Sequence, residues 1–261
     1  MLTRIASEGN SRLKLVRKLA AKKTRDEEGK FIIEGINLVE EAVLKDVDVD
    51  YILVSDEFKA DIFVEKCDAK GIPVFEVPAP VFEKLCDAEN GVGILAVVRK
   101  PDATLELPDK EANILVLDRV QDPGNIGTMI RTAVAAGYGM IVAVKGTADV
   151  YSAKVLRATA GMIFDIPIVY VNDAGEVREF VDRTGHRLVV TDPAGGKPYY
   201  EEDINNGIAL VIGNEGNGIS DELMSIADIR VTIPMKGDIE SLNAAISAAI
   251  LMYEAIRARG I

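Results

Sequence analysis

The chain has 261 residues, 48% of them hydrophobic, more than one ordinary domain needs, and predicts two units with a core each. Cys67 and Cys86 are its only cysteines and make no CxxC pair, no HExxH spacing occurs, and no apolar run reaches the ~18 residues of a membrane span; a disulfide framework, a metal site and a spanning helix are therefore not expected, and a cytoplasmic protein is. The net charge of −12 argues against broad coating of nucleic acid, yet residues 1–30 carry net +5, against −10 over 31–110 and −7 over 111–261.

The N-terminal surplus lies in Arg12, Lys14, Arg17, Lys18, Lys22, Lys23 and Arg25. Clustered cations of this kind meet phosphates and release their counterions, and they equally suit a solvated helix face; charge alone does not choose. Phe31 to Glu34 then reads as a strand turning at Gly35, and Ile36 to Leu44 has helical periodicity. Tyr51–Ser55, Ile72–Val77 and Gly93–Val98 read as strands, with helices at Phe58–Lys70, stopped by Gly71, and at Val81–Ala88. This alternation predicts a small α/β sandwich over residues 1–100, followed by a proline- and charge-containing linker over 101–110.

From residue 111 to 261 the pattern changes to compact, β-branched strands at Asn113–Leu117, Met140–Val144, Arg187–Thr191, Ile208–Ile212 and Ile229–Ile233, with helices between most of them. Short apolar strands alternating with helices predict a largely parallel sheet covered on both faces. The last segment, Asn243 to Arg257, is apolar nearly all round, which suits a core or a subunit interface. The sole histidine, His186, follows Gly185 at a predicted helix end, where a capping role fits better than a Ser-His-Asp hydrolase. Residues 213–218 spell GxxGxG rather than GxGxxG, which weakens a nicotinamide-binding reading.

Three loops of this C-terminal half stand out: Asp122-Pro123-Gly124-Asn125-Ile126-Gly127-Thr128-Met129-Ile130-Arg131, Gly213-Asn214-Glu215-Gly216, and Ser241-Leu242-Asn243 after Ile233-Pro234-Met235. Gly- and Asn-rich loops after parallel strands bind ligands at a sheet's carboxyl edge, so three of them predict one pocket. Their order and spacing resemble the three motifs of the SpoU (TrmH-type) RNA 2′-O-ribose methyltransferases of the SPOUT superfamily. Residues 1–100 resemble the ribosomal-protein-like substrate-binding domain found upstream of some members.

The resemblance implies a C-terminal α/β domain with a deep trefoil knot around a mostly parallel sheet, S-adenosyl-L-methionine as cofactor, a homodimer, and RNA as substrate, ribosomal RNA ahead of transfer RNA. A non-catalytic RNA-binding module on the same fold is the alternative from another class. Gly213, Gly216, Ile233, Leu242 and Asn243 match cofactor-binding positions, the two glycines by taking φ > 0 and letting backbone approach the adenine. Asn125 matches a catalytic-motif position that helps order the active-site loop, and Glu215, Ser241 and Asn243 match a polar network near the cofactor and the catalytic Arg131; taken alone, Asn125 reads as a helix cap, Glu215 as a solvated loop acid, and Ser241 and Asn243 as a local cap. Arg131 matches the arginine that engages substrate phosphate and activates the hydroxyl. With a pKa above ~12 an arginine serves as a phosphate clamp and electrostatic activator rather than a literal base.

Overall fold

Residues 2–5, 7–58, 61–86, 93–106, 111–237 and 241–259 are described by the computed structural model. They form two units, Met1–Asp102 with Asp149–Phe164, and Ala103–Ala148 with Asp165–Ile261. Positions 59–60 and 87–88 of the two predicted helices, and 107–110 of the predicted linker, lie outside the described residues.

The first unit contains β1 (Leu2–Arg4), α1 (Ser11–Leu19), α2 (Lys22–Glu28), β2 (Lys30–Glu34), α3 (Ile36–Leu44), β3 (Val49–Ser55), α4 (Asp61–Ala69), β4 (Val74–Val77), α5 (Ala79–Glu83) and β5 (Ile94–Arg99). Its sheet runs β1-β4-β3-β5-β2, with β1, β4 and β3 parallel and β5 antiparallel to both of its neighbours. Strand side chains alternate faces. Tyr51, Leu53, Leu95 and Val97 meet Leu13, Val16 and Leu19 of α1, while Ile52, Val54, Ala96 and Val98 are buried on the opposite face. There α3 packs on β2 and β5 and buries Leu38, Val39, Ala42 and Val43. Asn10 starts α1 by accepting Arg12 N–H at 2.9 Å. Gly35, at φ 94, turns the chain from β2 into α3, a conformation L-residues rarely adopt.

The remaining elements are β6 (Ile114–Asp118), α6 (Pro123–Ala135), β7 (Met140–Val144), α7 (Ala153–Thr159), β8 (Ile168–Val171), α8 (Ala174–Thr184), β9 (Arg187–Thr191), β10 (Lys197–Pro198), β11 (Ile208–Gly213), α9 (Asp221–Ser225), β12 (Ile229–Thr232) and α10 (Ala244–Arg259). All but α7 belong to the second unit, whose seven strands run β10-β12-β9-β11-β6-β7-β8, every pair parallel. One face buries Val116, Val142, Val190 and Val211 against Val177, Phe180 and Val181 of α8 and Leu223 of α9. α10 packs on α6 and β11 and buries Ala245, Ala248, Leu251, Met252 and Ala255, but leaves Ile246 and Tyr253 about half exposed, at 52% and 49%.

The five strands expected in this half are present, and β8 and β10 here, like β1 in the first unit, add to the expected strands. β1 and β10 are three and two residues long, too short to show a period. His186 is buried behind Gly185, itself the left-handed cap of α8, and its ring nitrogens lie 2.9 Å from Thr184 Oγ1 and 3.0 Å from Ala112 O. It is a satisfied packing residue.

Residues 149–164, placed with the C-terminal half on sequence pattern, pack in the first unit. Tyr151 stacks on Phe31 at 4.7 Å between ring centroids, α7 packs on β2, and Asp149 pairs with Arg25. Arg25 is therefore not part of a phosphate-facing arm. It is 7% exposed, with its guanidinium on Asp149 Oδ2 at 2.6 and 2.9 Å and on the carbonyls of Leu19 and Ala20 at 2.6 and 2.7 Å.

Candidate active site

Parallel strands β9, β11 and β12 all end at one cleft of about 650 Å³, within the usual range for small-molecule sites. Its rim holds Gly213, Glu215, Gly216, Ile233, Ser241, Leu242 and Asn243, so two of the three motif loops line one space, while residues 122–131, expected to line it too, do not. Ile212, Ile219, Ile233 and Leu242 supply apolar wall.

The third loop joins through side chains. Asp122 caps α6 by accepting Asn125 N–H at 2.8 Å, which leaves the Asn125 side chain free of the capping role. That side chain, buried at 8% exposure, donates Nδ2 to Glu215 Oε1 at 2.9 Å and accepts Asn243 Nδ2 on Oδ1 at 2.9 Å. Glu215 also accepts the backbone N–H of Gln121 and of Asp122, each at 3.0 Å. Asn243 Oδ1 accepts the N–H groups of Ala245 and Ile246 at 2.9 and 3.2 Å, so Asn243 caps α10 and closes the network at once. One line, Glu215–Asn125–Asn243, thus ties the three loops together.

Partial burial alone would raise the Glu215 pKa, but the donors from Gln121, Asn125 and Asp122 outweigh it and hold the carboxyl below its ordinary value. The acid is ionised and committed to acceptance, not a free solvated acid.

The expected reason for the glycines is corrected. Neither Gly213 nor Gly216 has positive φ; Gly218, at φ 68, carries the turn instead. A Cβ on Gly213 would lie 2.3 Å from Gly218 C and 2.4 Å from Ile219 N, so glycine is needed there for backbone packing behind the cleft. Asn214, not singled out beforehand, shapes this loop: Oδ1 accepts Gly216 and Asn217 N–H at 3.0 Å, and Nδ2 donates to Arg119 O at 2.9 Å. The Asx-turn preference of Asn is the signal that points to it.

Arg131 lies on the exposed side of α6, outside the lining of this cleft, and has no ion-pair partner among the described residues. Ser241 lines the cleft but has no hydrogen bond within the network. In the first unit, Arg12 stacks over Phe75 at 4.3 Å, Arg17 is 4.0 Å from Glu8, and Lys22 and Lys23 pair with Asp26 and Glu27 at 2.5 and 3.8 Å along α2. Lys14 and Lys18, one turn apart on α1, are exposed without such partners among the described residues. No group of three or more His, Cys, Asp or Glu suited to a metal occurs among the described residues.

Residues 112–253 match the model of the SpoU rRNA Methylase family, and residues 10–96 that of the MRM3-like substrate binding domain. The 23S rRNA (guanosine(2553)-2′-O)-methyltransferase RlmP of Bacillus subtilis is 38% identical over 97% of this chain and 98% of its own length. The crystal structure of an AdoMet-bound rRNA methyltransferase from Sinorhizobium meliloti superposes with a TM-score of 0.88 at 32% identity, covering 98% of each chain. The SpoU methyltransferase AviRb of Streptomyces viridochromogenes, in complex with AdoMet, gives 0.86 at 30% identity over 96% of this chain and 99% of that one. With its three motif loops joined at the carboxyl edge of a parallel sheet, the chain belongs to the SpoU rRNA methylase family.

Proposed function

We propose that this protein transfers the methyl group of S-adenosyl-L-methionine to a ribose 2′-hydroxyl of ribosomal RNA in the cytoplasm. The observation that carries the reading is the Glu215–Asn125–Asn243 line, which joins three motif loops around one cleft. The cleft fits the cofactor: its apolar wall of Ile212, Ile219, Ile233 and Leu242 suits an adenine face, and strand ends at Gly213 and Thr232 offer backbone polar groups to adenine edges. When bound, the cofactor supplies an electrophilic sulfonium methyl. Gly213, Gly216, Ile233, Leu242 and Asn243 would hold it, Glu215, Asn125 and Asn243 keep the loops in register, and Ser241 contributes its hydroxyl to the cleft lining. Arg131 clamps the RNA phosphate and stabilises charge on the hydroxyl oxygen, a task suited to its fixed donor fork.

The reading includes a homodimer. Ile246 and Tyr253 leave an exposed apolar strip on α10, and Arg131 stands outside its own chain's cleft, so Arg131 of the partner subunit completes the site. Sedimentation showing a fully active monomer would defeat this. The likeness to SpoU structures supports a trefoil knot at the C-terminus, which an experimental backbone trace tests. Residues 1–100 choose the RNA, with Arg12, Lys14, Arg17, Lys18, Lys22 and Lys23 as contacts; Lys14 and Lys18 are the strongest of these because neither is engaged in an ion pair among the described residues.

The test is a map of ribose methylation in cellular RNA with and without the protein. One ribosomal site should lose its methyl group in the protein's absence. A loss confined to transfer RNA overturns the substrate class, and no loss at all overturns the activity.

A further inference from the structure

The chain crosses from the second unit to the first between Ala148 and Asp149, and both sides of that peptide bond are held. On the first unit's side, Asp149 has 8% of its side chain exposed and accepts two donors of Arg25, which is also fixed to the carbonyls of Leu19 and Ala20. On the second unit's side, Ala148 N–H donates to Val120 O at 2.9 Å, and Thr147 Oγ1 donates to Leu117 O at 2.9 Å and accepts Arg119 N–H at 3.1 Å. Gln121 Nε2 donates to Gly146 O. Residues 146–148 are thus bound along residues 117–121, and the next two amides, Gln121 N–H and Asp122 N–H, are the ones Glu215 accepts.

The loop so held is not in a relaxed conformation. Arg119 sits at φ 56, left-handed backbone that L-residues rarely adopt, and persists because Thr147 binds its N–H and Asn214 its carbonyl. A conformation kept by its surroundings shifts when they shift. A buried ion pair is weak evidence for stability but well suited to fixing one register, since either charge left alone is strongly unfavourable.

We infer that Arg25 and Asp149 are positioning residues for the methyl-transfer site: by fixing where the chain enters residues 146–148, they hold residues 119–122 where their amides meet Glu215. This rests on the reading of the Glu215–Asn125–Asn243 line as part of the active site. Neither residue touches the cleft. Their influence passes through one peptide bond and four hydrogen bonds, in contiguous sequence order.

The experiment is amide hydrogen exchange on the full chain, with methyl incorporation from S-adenosyl-L-methionine into total RNA of cells lacking the protein. Asp149→Asn should speed exchange at residues 119–122 about ten-fold, leave residues 188–190 of β9 within two-fold, and lower the saturated single-turnover rate about ten-fold. Thr147→Val, confined to the second unit and close in shape, removes the next link and should do the same even if Asp149→Asn fails to fold. Faster exchange restricted to residues 22–31 and 149–159, with 119–122 unchanged, overturns the inference. Asn125→Ala, assayed alongside, separates the two readings. If it loses rate while Asp149→Asn does not, the positioning role fails; if both keep full rate, the line is not part of the active site and the inference falls with it.

Discussion

Asn125 Nδ2 lies 2.9 Å from Glu215 Oε1, a contact between residues 90 positions apart that converts two separate loops into one wall of the site. The same amide accepts Asn243 on its other end. Only a group with a donor and an acceptor can do both, which is what distinguishes Asn from Asp here.

Asn125→Ala should therefore cost about 1 kcal/mol of stability, the scale of a lost hydrogen bond whose former partners retain some access to water. Asn125→Asp should cost more, because it sets a carboxylate against Glu215 in place of a donor. Urea unfolding of the two variants checks the order; an Asp variant as stable as wild type removes the donor role of Asn125.

Glu215 sets a pH dependence whose sign follows from its lowered pKa. A carboxyl depressed in the folded state stabilises above its unfolded pKa, about 4.3, and that contribution is lost as pH falls through the lower folded value. The stability difference between wild type and Glu215→Gln should be constant above about pH 5.5 and shrink below about pH 4. Thermal melts across pH 3–7 measure it, and a difference that grows with acid contradicts the assignment.

Gly213→Ala should destabilise the second unit by about 1–3 kcal/mol, since the obstructing atoms at 2.3–2.5 Å are backbone atoms of Gly218 and Ile219 and cannot rotate away. Cofactor affinity should fall with it, because the same loop rims the cleft. Calorimetric titration with S-adenosyl-L-methionine reads the second effect. Gly216→Ala, whose new Cβ would meet nothing nearer than Asn214 Oδ1 at 3.6 Å, is the control for stability and should leave the fold near wild type.

Arg131→Ala should leave folding and cofactor affinity near wild type and reduce the chemical step by ~10²–10³, the usual scale for one preorganised electrostatic contact. Arg131→Lys should fail as well, having charge without the planar fork. Single-turnover methylation at saturating RNA and cofactor is the measurement. Near-wild-type rates for Ala would make Arg131 an ordinary surface residue.

Removal of residues 1–100 should give a poorly soluble product rather than an intact methyltransferase half. It removes Phe31 and the strand β2 that cover Tyr151 and α7, and so exposes Tyr151, Val155 and Leu156, which are buried in the intact protein. Expression of 101–261 with and without Tyr151→Ser and Leu156→Ser tests this: a soluble parent fragment contradicts it, and rescue by the paired substitutions supports it.

Much of this was legible locally. The strands at Met140–Val144 and Arg187–Thr191 match their predicted limits, because β-branched runs bounded by Gly and polar residues carry their own signal. So does the helix Ile36–Leu44, whose apolar period is 3.6. Arg25 was not legible: in sequence it resembles the lysines around it, and its burial depends on Asp149, 124 positions away.

The sequence by itself determined two α/β halves, the three loops of the site and the chemistry that their residue types permit, because helix period, strand alternation and turn composition are properties of neighbours. Tertiary structure alone decided that residues 149–164 complete the first unit and that Asn125 links Glu215 to Asn243. Each of those depends on which surfaces meet after folding. No local pattern encodes a contact whose two partners lie about a hundred residues apart.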